Sequence, residues 1–198
     1  MKTALLVGAG VGMALFAFSG GAFASVDGGA GGDVPADPAP DYQTGAALMA
    51  IRVFESNSTD SAYTLLNGGG RFSGFADHPA ALGWGGTRLS DSTCRAAGYG
   101  PGCVSTAAGA YQIILPTWKR LKNKLGLIDF SPESQDAAAV ELIRENGALA
   151  DVQAGNFTAA INKLSHVWAS MPGNYAAQRQ GSLTAWLNAF TNNGGALA

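Results

Sequence analysis

Glu55 is the first residue of the chain whose type and position suggest catalytic chemistry. It is the only glutamate before Glu133, and it stands in VFESNSTDSAY (residues 53–63), where an apolar run gives way to small polar residues. The preceding residues 45–54 carry apolar side chains at helical spacing, which predicts a helix that ends at this glutamate. A carboxyl group held at a helix end against apolar surface can keep its proton at neutral pH and act as a general acid. The structural alternative is a solvated charge at the end of a helix.

The composition predicts one folded domain with an ordinary core. The chain has 198 residues, of which 47% are apolar and 13% are charged, and its net charge is −2 at pH 7. The basic residues are scattered, except for a cluster on the outer face of one predicted amphipathic helix: Lys119, Arg120, Lys122 and Lys124. Cations suit the C-terminal end of a helix, which predicts a solvated face, and the alternative is a patch that attracts an anionic polymer such as cell wall. We therefore expect no nucleic-acid partner.

The N-terminal part of the chain differs from the rest. Residues 1–24 carry Lys2 as their only charge and end in Ala22-Phe23-Ala24, a pattern typical of a signal peptide cleaved before Ser25. The alternative is a releasable membrane anchor, because the uncharged stretch is also roughly long enough to cross a bilayer. Residues 25–44 are rich in Gly, Pro and Asp, which predicts a disordered linker before a domain at 45–198. We expect export to the periplasm or the cell exterior, or membrane tethering if the segment stays uncleaved.

Two cysteines lie close together in the sequence. Cys94 and Cys103 flank a turn-rich segment, and in an exported chain such a pair predicts a loop-closing disulfide. The alternative is a pair of free buried thiols. Neither His78 nor His166 lies at ligand spacing from them, so the sequence predicts no zinc site.

The remaining pattern predicts an α+β domain. Residues 67–91 are glycine-rich and irregular, which favours a small hairpin or loop lobe. Helical patterns follow over 106–126, 131–147, 157–170 and 181–195. The start of the second is marked by Ser131 as N-cap and Pro132 in the first turn. The expected architecture is a mainly helical domain with a small β-containing lobe and a cleft between the two.

Three segments carry a resemblance to a known family. STAAGAYQIILPTWKRLKNKLGLIDFSPESQDAAAVELIRENGAL (105–149), FSGFADHP (72–79) and WASMPG (168–173) resemble, in this order, the lysozyme-like endolysins of phage lambda and its relatives. The resemblance spans roughly residues 49–195. It implies a lysozyme-like fold and a lytic transglycosylase that cleaves the MurNAc-GlcNAc bond of peptidoglycan without a metal or organic cofactor. The catalytic glutamate of the family matches Glu55, although the segment after it is longer than in the family.

The resemblance also implies how the glutamate works. Glu55 would protonate the glycosidic oxygen and then, once ionised, take the proton from the C6 hydroxyl of the sugar. A hydrolytic muramidase is the alternative, and it would need a second carboxylate. The candidates are Asp60, whose ordinary role is to cap backbone amides, and Asp77, whose ordinary role is an Asx turn before Pro79. Both are also candidates for contact with the substrate. From a different class, the chain could be a wall-binding or virion structural protein that has lost catalysis.

Substrate contacts are expected at the cleft wall. Tyr111 and Gln112 match a pair that the family uses there, as a ring edge against sugar and an amide that donates and accepts hydrogen bonds. The aromatic residues of the small lobe predict either a sugar platform or a minor core: Phe72, Phe75 and Trp84. The default role of Trp118 and Trp168 is core packing, and that of His78 and His166 is structural. The expected partner is the peptidoglycan glycan strand, bound by a monomer that touches the membrane only transiently.

Overall fold

The structure is a computed structural model, and it describes residues 41–57, 59–174 and 180–198. The predicted signal peptide and residues 25–40 of the predicted linker lie outside the described residues. The helices are α1 (Tyr42–Glu55), α2 (Asp91–Ala96), α3 (Leu115–Leu125), α4 (Pro132–Glu145), α5 (Leu149–Gln153), α6 (Phe157–Leu164) and α7 (Leu183–Asn192). A 3-10 helix spans Asp60–Thr64, and two short strands are β1 (Thr87–Arg88) and β2 (Val104–Ser105). None of the helices in the described ranges has both the length and the apolarity that a membrane crossing requires.

Helix α1 forms the centre of the helical body. It packs against α7, α5 and α4, and it buries Ala47, Leu48 and Ile51 completely. Its first turn starts earlier than the sequence predicts, because the Asp41 side chain accepts a hydrogen bond from the backbone of Thr44 (2.7 Å) and caps the helix. Residues 42–44 of the predicted linker therefore belong to α1. The predicted end of the helix at Glu55 is confirmed.

The small lobe is held by sparse pairing and one disulfide. Strands β1 and β2 pair antiparallel, with Thr87 opposite Ser105. The predicted disulfide between Cys94 and Cys103 is present and closes the loop between α2 and β2. Helix α2 was not predicted, and it starts because the Ser90 side chain accepts from the backbone of Thr93 (3.1 Å).

The predicted helix over 106–126 is wrong in its first half. Residues 107–113 form isolated β-bridges and a turn, and α3 starts only at Leu115. Gly109 has φ 83°, and a Cβ atom there would lie 2.2 Å from the Gln135 side-chain oxygen. The turn and this close approach both require glycine, so a continuous helix is excluded.

The later helices follow the prediction more closely. Ser131 caps α4 through the backbone of Ser134 (3.3 Å), with Pro132 as the first helical residue. The predicted helix over 157–170 ends earlier, at Leu164, and the short α5 was not predicted. The mainly helical α+β fold with a small two-stranded sheet is confirmed.

Candidate active site

Glu55 ends α1 with its carboxyl group enclosed and part of the residue still exposed. The Ser170 hydroxyl donates a hydrogen bond to Glu55 Oε1. Burial of the carboxyl raises the pKa of Glu55 to about 8, although hydrogen bonds from the hydroxyl and the backbone N–H of Ser170 lower it. A carboxyl group with this pKa is mostly protonated at neutral pH and can therefore give up a proton.

Ser170 is itself fixed by the chain that packs on α1. Its carbonyl oxygen accepts from the backbone N–H of Gly181 (2.8 Å) and from Trp186 Nε1 (3.3 Å). The Trp186 ring stacks on Phe54, with 4.2 Å between ring centroids. A Cβ atom on Gly181 would lie 2.5 Å from the Phe54 ring, so this contact needs glycine. The residue before Glu55 and the partner of its carboxyl thus share one packed unit.

The chain after Glu55 is tied to the small lobe. The Ser56 hydroxyl donates to the carbonyl oxygen of Ala110. The backbone of Ala110 in turn donates to Gln135 Oε1 (2.9 Å) on α4. Asn57 has φ 66°, a left-handed conformation that ends the helix. These contacts fix the exit of the chain from α1 and hence the base of the glutamate.

The predicted sugar contact of the Tyr111 ring is wrong, because the ring is fully buried. Its hydroxyl donates to Asp136 Oδ1 (3.4 Å), which also accepts from the Tyr63 hydroxyl (3.1 Å). The Arg52 guanidinium lies over the Tyr63 ring at 4.8 Å and donates to the Thr59 carbonyl oxygen (2.9 Å). Tyr111 therefore belongs to a buried polar cluster behind α1.

Gln112 is also buried, in the turn that follows Gly109. It has φ 51°, and its side-chain nitrogen donates to the carbonyl oxygens of Gly109 (3.0 Å) and Leu65 (3.5 Å). These bonds brace the turn against the small lobe. A sugar contact through this nitrogen would require them to break, so the substrate role of Gln112 stays a prediction.

The two candidate second carboxylates lie in different settings. Asp77 accepts from Lys122 Nζ, Trp118 Nε1 and the backbone of His78, each at 2.7 Å. Partial burial would raise the pKa of Asp77, but these donors together lower it below its usual range. Asp77 is thus part of a structural ion pair. Asp60 is solvent-exposed at the first residue of the 3-10 helix.

The aromatic residues of the small lobe pack against the main hydrophobic core of the protein. Phe72 is half-buried and packs edge-on against Phe75, with 6.0 Å between centroids. It also lies 5.9 Å from the Phe130 ring, which is fully buried. Phe72 therefore has only part of its surface available to a sugar. Trp84 is half-buried against the same core.

The predicted structural roles of His78 and the core tryptophans are confirmed. Trp118 and Trp168 are fully buried. His78 Nε2 lies 2.8 Å from the Ile113 carbonyl oxygen, and Nδ1 accepts from the backbone of Ala80 (3.1 Å). Burial lowers the pKa of His78 to about 4, so the ring is neutral. In the described part of the chain, no group of three or more His, Cys, Asp or Glu side chains could hold a metal ion.

Ser170 is a residue of the candidate site that the sequence patterns did not predict. It lies 115 residues from Glu55 along the chain, so no local pattern connects the two. The available signal was the segment WASMPG, which carried part of the family resemblance and contains this serine.

Known proteins match both the sequence and the fold. The Endolysin family model matches residues 46–197. The endolysin of Escherichia phage lambda is 35% identical over 133 residues, which cover 67% of this chain and 75% of the relative. The endolysin of Escherichia phage P2 is 40% identical over 124 residues, which cover 63% of this chain and 70% of the relative.

A solved structure of bacteriophage lambda lysozyme complexed with a chitohexasaccharide superposes with a TM-score of 0.66 at 31% identity, covering 80% of this chain and 97% of that one. A second structure of the lambda lysozyme gives a TM-score of 0.63 at 28% identity, with the same coverage. With a lysozyme-like fold, a protonated glutamate at the end of its central helix, and these matches, the chain belongs to the endolysin family of lysozyme-like, cell-wall-degrading enzymes.

Proposed function

We propose that the protein is a peptidoglycan lytic transglycosylase that cleaves the β-1,4 bond between MurNAc and GlcNAc and forms 1,6-anhydro-MurNAc. The observation that carries the proposal is the Glu55 carboxyl, whose pKa of about 8 leaves it protonated at neutral pH at the partly exposed end of α1. The chitohexasaccharide bound to the lambda lysozyme supports a β-1,4-linked amino-sugar substrate.

The proposed reaction uses one carboxyl group twice. Glu55 first gives its proton to the glycosidic oxygen, and the bond from that oxygen to C1 of MurNAc breaks, which leaves oxocarbenium character at C1. The resulting carboxylate then takes the proton of the MurNAc C6 hydroxyl, and O6 bonds to C1. The products are a free hydroxyl on GlcNAc and an anhydro ring on MurNAc, and Glu55 regains its proton. No water is consumed.

Hydrolysis is the competing mechanism, and it depends on a second carboxylate. That group must lie about 5 Å from the acid to act as nucleophile, or about 6.5–9.5 Å away to activate water. The ion pair with Lys122 and the bond from Trp118 engage Asp77 elsewhere. Asp60 is exposed five residues after Glu55 and is the carboxylate on which a muramidase would depend.

The disulfide supports a place of action outside the cytoplasm. Disulfides persist in oxidising compartments, and the Cys94–Cys103 bond is formed in this structure. We therefore propose that the protein is exported, through residues 1–24 as a cleaved signal or as a releasable anchor. There it acts as a monomer on glycan strands.

Mass spectrometry of digested peptidoglycan tests the mechanism. We expect anhydro-muropeptides, lighter by one water than hydrolytic products and without a reducing end. Asp60→Asn should leave this product and its rate of formation unchanged, while Glu55→Gln should yield none. Reducing-end muropeptides that disappear in Asp60→Asn would show that the enzyme is a muramidase. Wall binding without any product from the wild-type protein would show a non-catalytic role.

A further inference from the structure

We propose that Ser170 is a positioning residue that holds the Glu55 carboxyl in one orientation and leaves its acidic proton on Oε2. The inference rests on the proposed role of Glu55 as the acid. It starts from geometry, because the Ser170 hydroxyl donates to Oε1. An oxygen that accepts this bond keeps its carbonyl character, so the proton of the neutral acid stays on the other oxygen.

The geometry of Ser170 suits this role because the residue has little freedom of its own. It is 9% exposed, and its carbonyl oxygen is held by the backbone of Gly181 (2.8 Å) and by Trp186 Nε1 (3.3 Å). The Trp186 ring also stacks on Phe54, the neighbour of Glu55 in α1. One packed unit therefore sets both the end of α1 and the group that orients its last side chain. An acid held in one orientation does not have to leave an unproductive rotamer before it can protonate the substrate.

The hydrogen bonds from Ser170 influence both proton transfers, the one from Glu55 and the one back to it. Burial favours the neutral carboxyl and would by itself make Glu55 a weak proton donor. Hydrogen bonds from Ser170 favour the ionised form, so they let the proton leave and support the carboxylate that must take a proton back. Within residues 41–57, 59–174 and 180–198, the influences on the Glu55 pKa are burial and Ser170, with no contribution from a neighbouring charge.

The pH dependence of kcat/KM distinguishes a Ser170 that acts on the Glu55 carboxyl from a Ser170 that only fills space in the core. We expect Ser170→Ala to lower kcat by roughly tenfold to a hundredfold, the range for a lost hydrogen bond to a charged group. The alkaline limb of kcat/KM should move to higher pH by about one unit. Ser170→Thr keeps the hydroxyl and should return the limb to its wild-type position. Trp186→Phe keeps the stacked ring, loses the N–H donor and should shift the limb in the same direction by less.

Ser131→Ala is the matched control. It also removes a serine hydroxyl from a structural contact, the cap of α4, but lies outside the catalytic machinery. It should lower thermal stability without moving the pH profile. An unshifted limb in Ser170→Ala, or an equal shift in Ser131→Ala, would overturn the inference.

Titration of Glu55 by NMR separates this inference from the proposed function. The chain has four glutamates, so a protein labelled with ¹³C at the glutamate carboxyl gives four signals, and Glu55→Gln identifies one of them. The Glu55 signal should titrate at higher pH in Ser170→Ala than in the wild type, whatever the activity. If it titrates at the same pH, Ser170 does not act on Glu55. If Glu55→Gln instead retains activity, the proposed function fails, whereas the titration still reports on the Ser170 contact.

Discussion

Two buried carboxyl groups of this protein have the same raised pKa and opposite surroundings. Burial raises the pKa of both Glu55 and Asp136 to about 8. Glu55 keeps part of its surface exposed at the end of α1 and is held by Ser170. Asp136 on α4 is fully buried and accepts from the hydroxyls of Tyr63 and Tyr111.

The difference shows that a raised pKa does not identify a catalytic acid. Both carboxyl groups are able to hold a proton at neutral pH, but Glu55 is a partly exposed residue, whereas Asp136 has no exposed surface. Asp136 Oδ1 accepts hydrogen bonds from two tyrosine hydroxyls behind α1, close to the buried Arg52. Access decides which of the two groups can do chemistry, and the other group contributes to stability.

The largest expected effect comes from replacing each carboxyl by its amide. Glu55→Gln should lower wall cleavage by about a thousandfold or more, because a nearly isosteric amide cannot supply the proton. Asp136→Asn should keep activity within about threefold per folded molecule, because the amide oxygen still accepts the tyrosine hydroxyls. Turbidity assays on purified cell walls, with circular dichroism to confirm folding, measure both. A tenth of wild-type activity in Glu55→Gln would contradict the assignment of Glu55 as the acid.

A second effect concerns stability, where we expect the substitution of Asp136 to cost more than the substitution of Glu55. Asp136→Ala removes the acceptor shared by Tyr63 and Tyr111 and leaves a small cavity, so we expect the free energy of unfolding to fall by about 2–4 kcal/mol. Glu55→Gln at neutral pH should leave stability unchanged or raise it, because the amide needs no proton. Urea unfolding measures both. Equal destabilisation by the two substitutions would mean that Glu55 is a structural residue like Asp136.

A third expected effect is the dependence of stability on pH. Both folded-state pKa values lie above the unfolded values of 4.5 for Glu55 and 3.8 for Asp136, so the fold favours the neutral forms. The stability that they contribute is complete below the unfolded pKa values and is lost as the pH rises through about 8. Each amide variant should therefore lose less of its free energy of unfolding between pH 4 and pH 8 than the wild type does. If neither variant changes the pH dependence of stability, groups other than Glu55 and Asp136 are responsible for it.

The sequence predicts the position of Glu55 at the end of a helix and much of the helical body because these features are local. Apolar spacing before Glu55 predicts where α1 ends, and Ser131 with Pro132 marks the start of α4. The Cys94–Cys103 disulfide follows from short spacing in a turn-rich segment. Each of these features depends on residues within a few positions of one another, which is the range over which sequence patterns carry information.

The features that the sequence does not predict depend on long-range contacts. Residues 106–114 contain good helix formers, but Gln135 occupies the space beside Gly109 and enforces a turn. The motif around Tyr111 matches a cleft residue of the family, but the Tyr111 hydroxyl donates to the buried Asp136. Ser170 reaches Glu55 across 115 residues. Each of these features depends on a polar contact between segments that are distant in the sequence.

In the proposed mechanism one carboxyl group performs both steps, and no water enters the reaction. Digestion of peptidoglycan in water enriched in ¹⁸O tests it most directly. We predict that the newly formed MurNAc ends carry no ¹⁸O, because the oxygen that bonds to C1 comes from the C6 hydroxyl of the same sugar. Incorporation of one ¹⁸O atom at C1 in most of the new ends would contradict this mechanism, since water rather than the C6 hydroxyl would then have supplied the oxygen at C1.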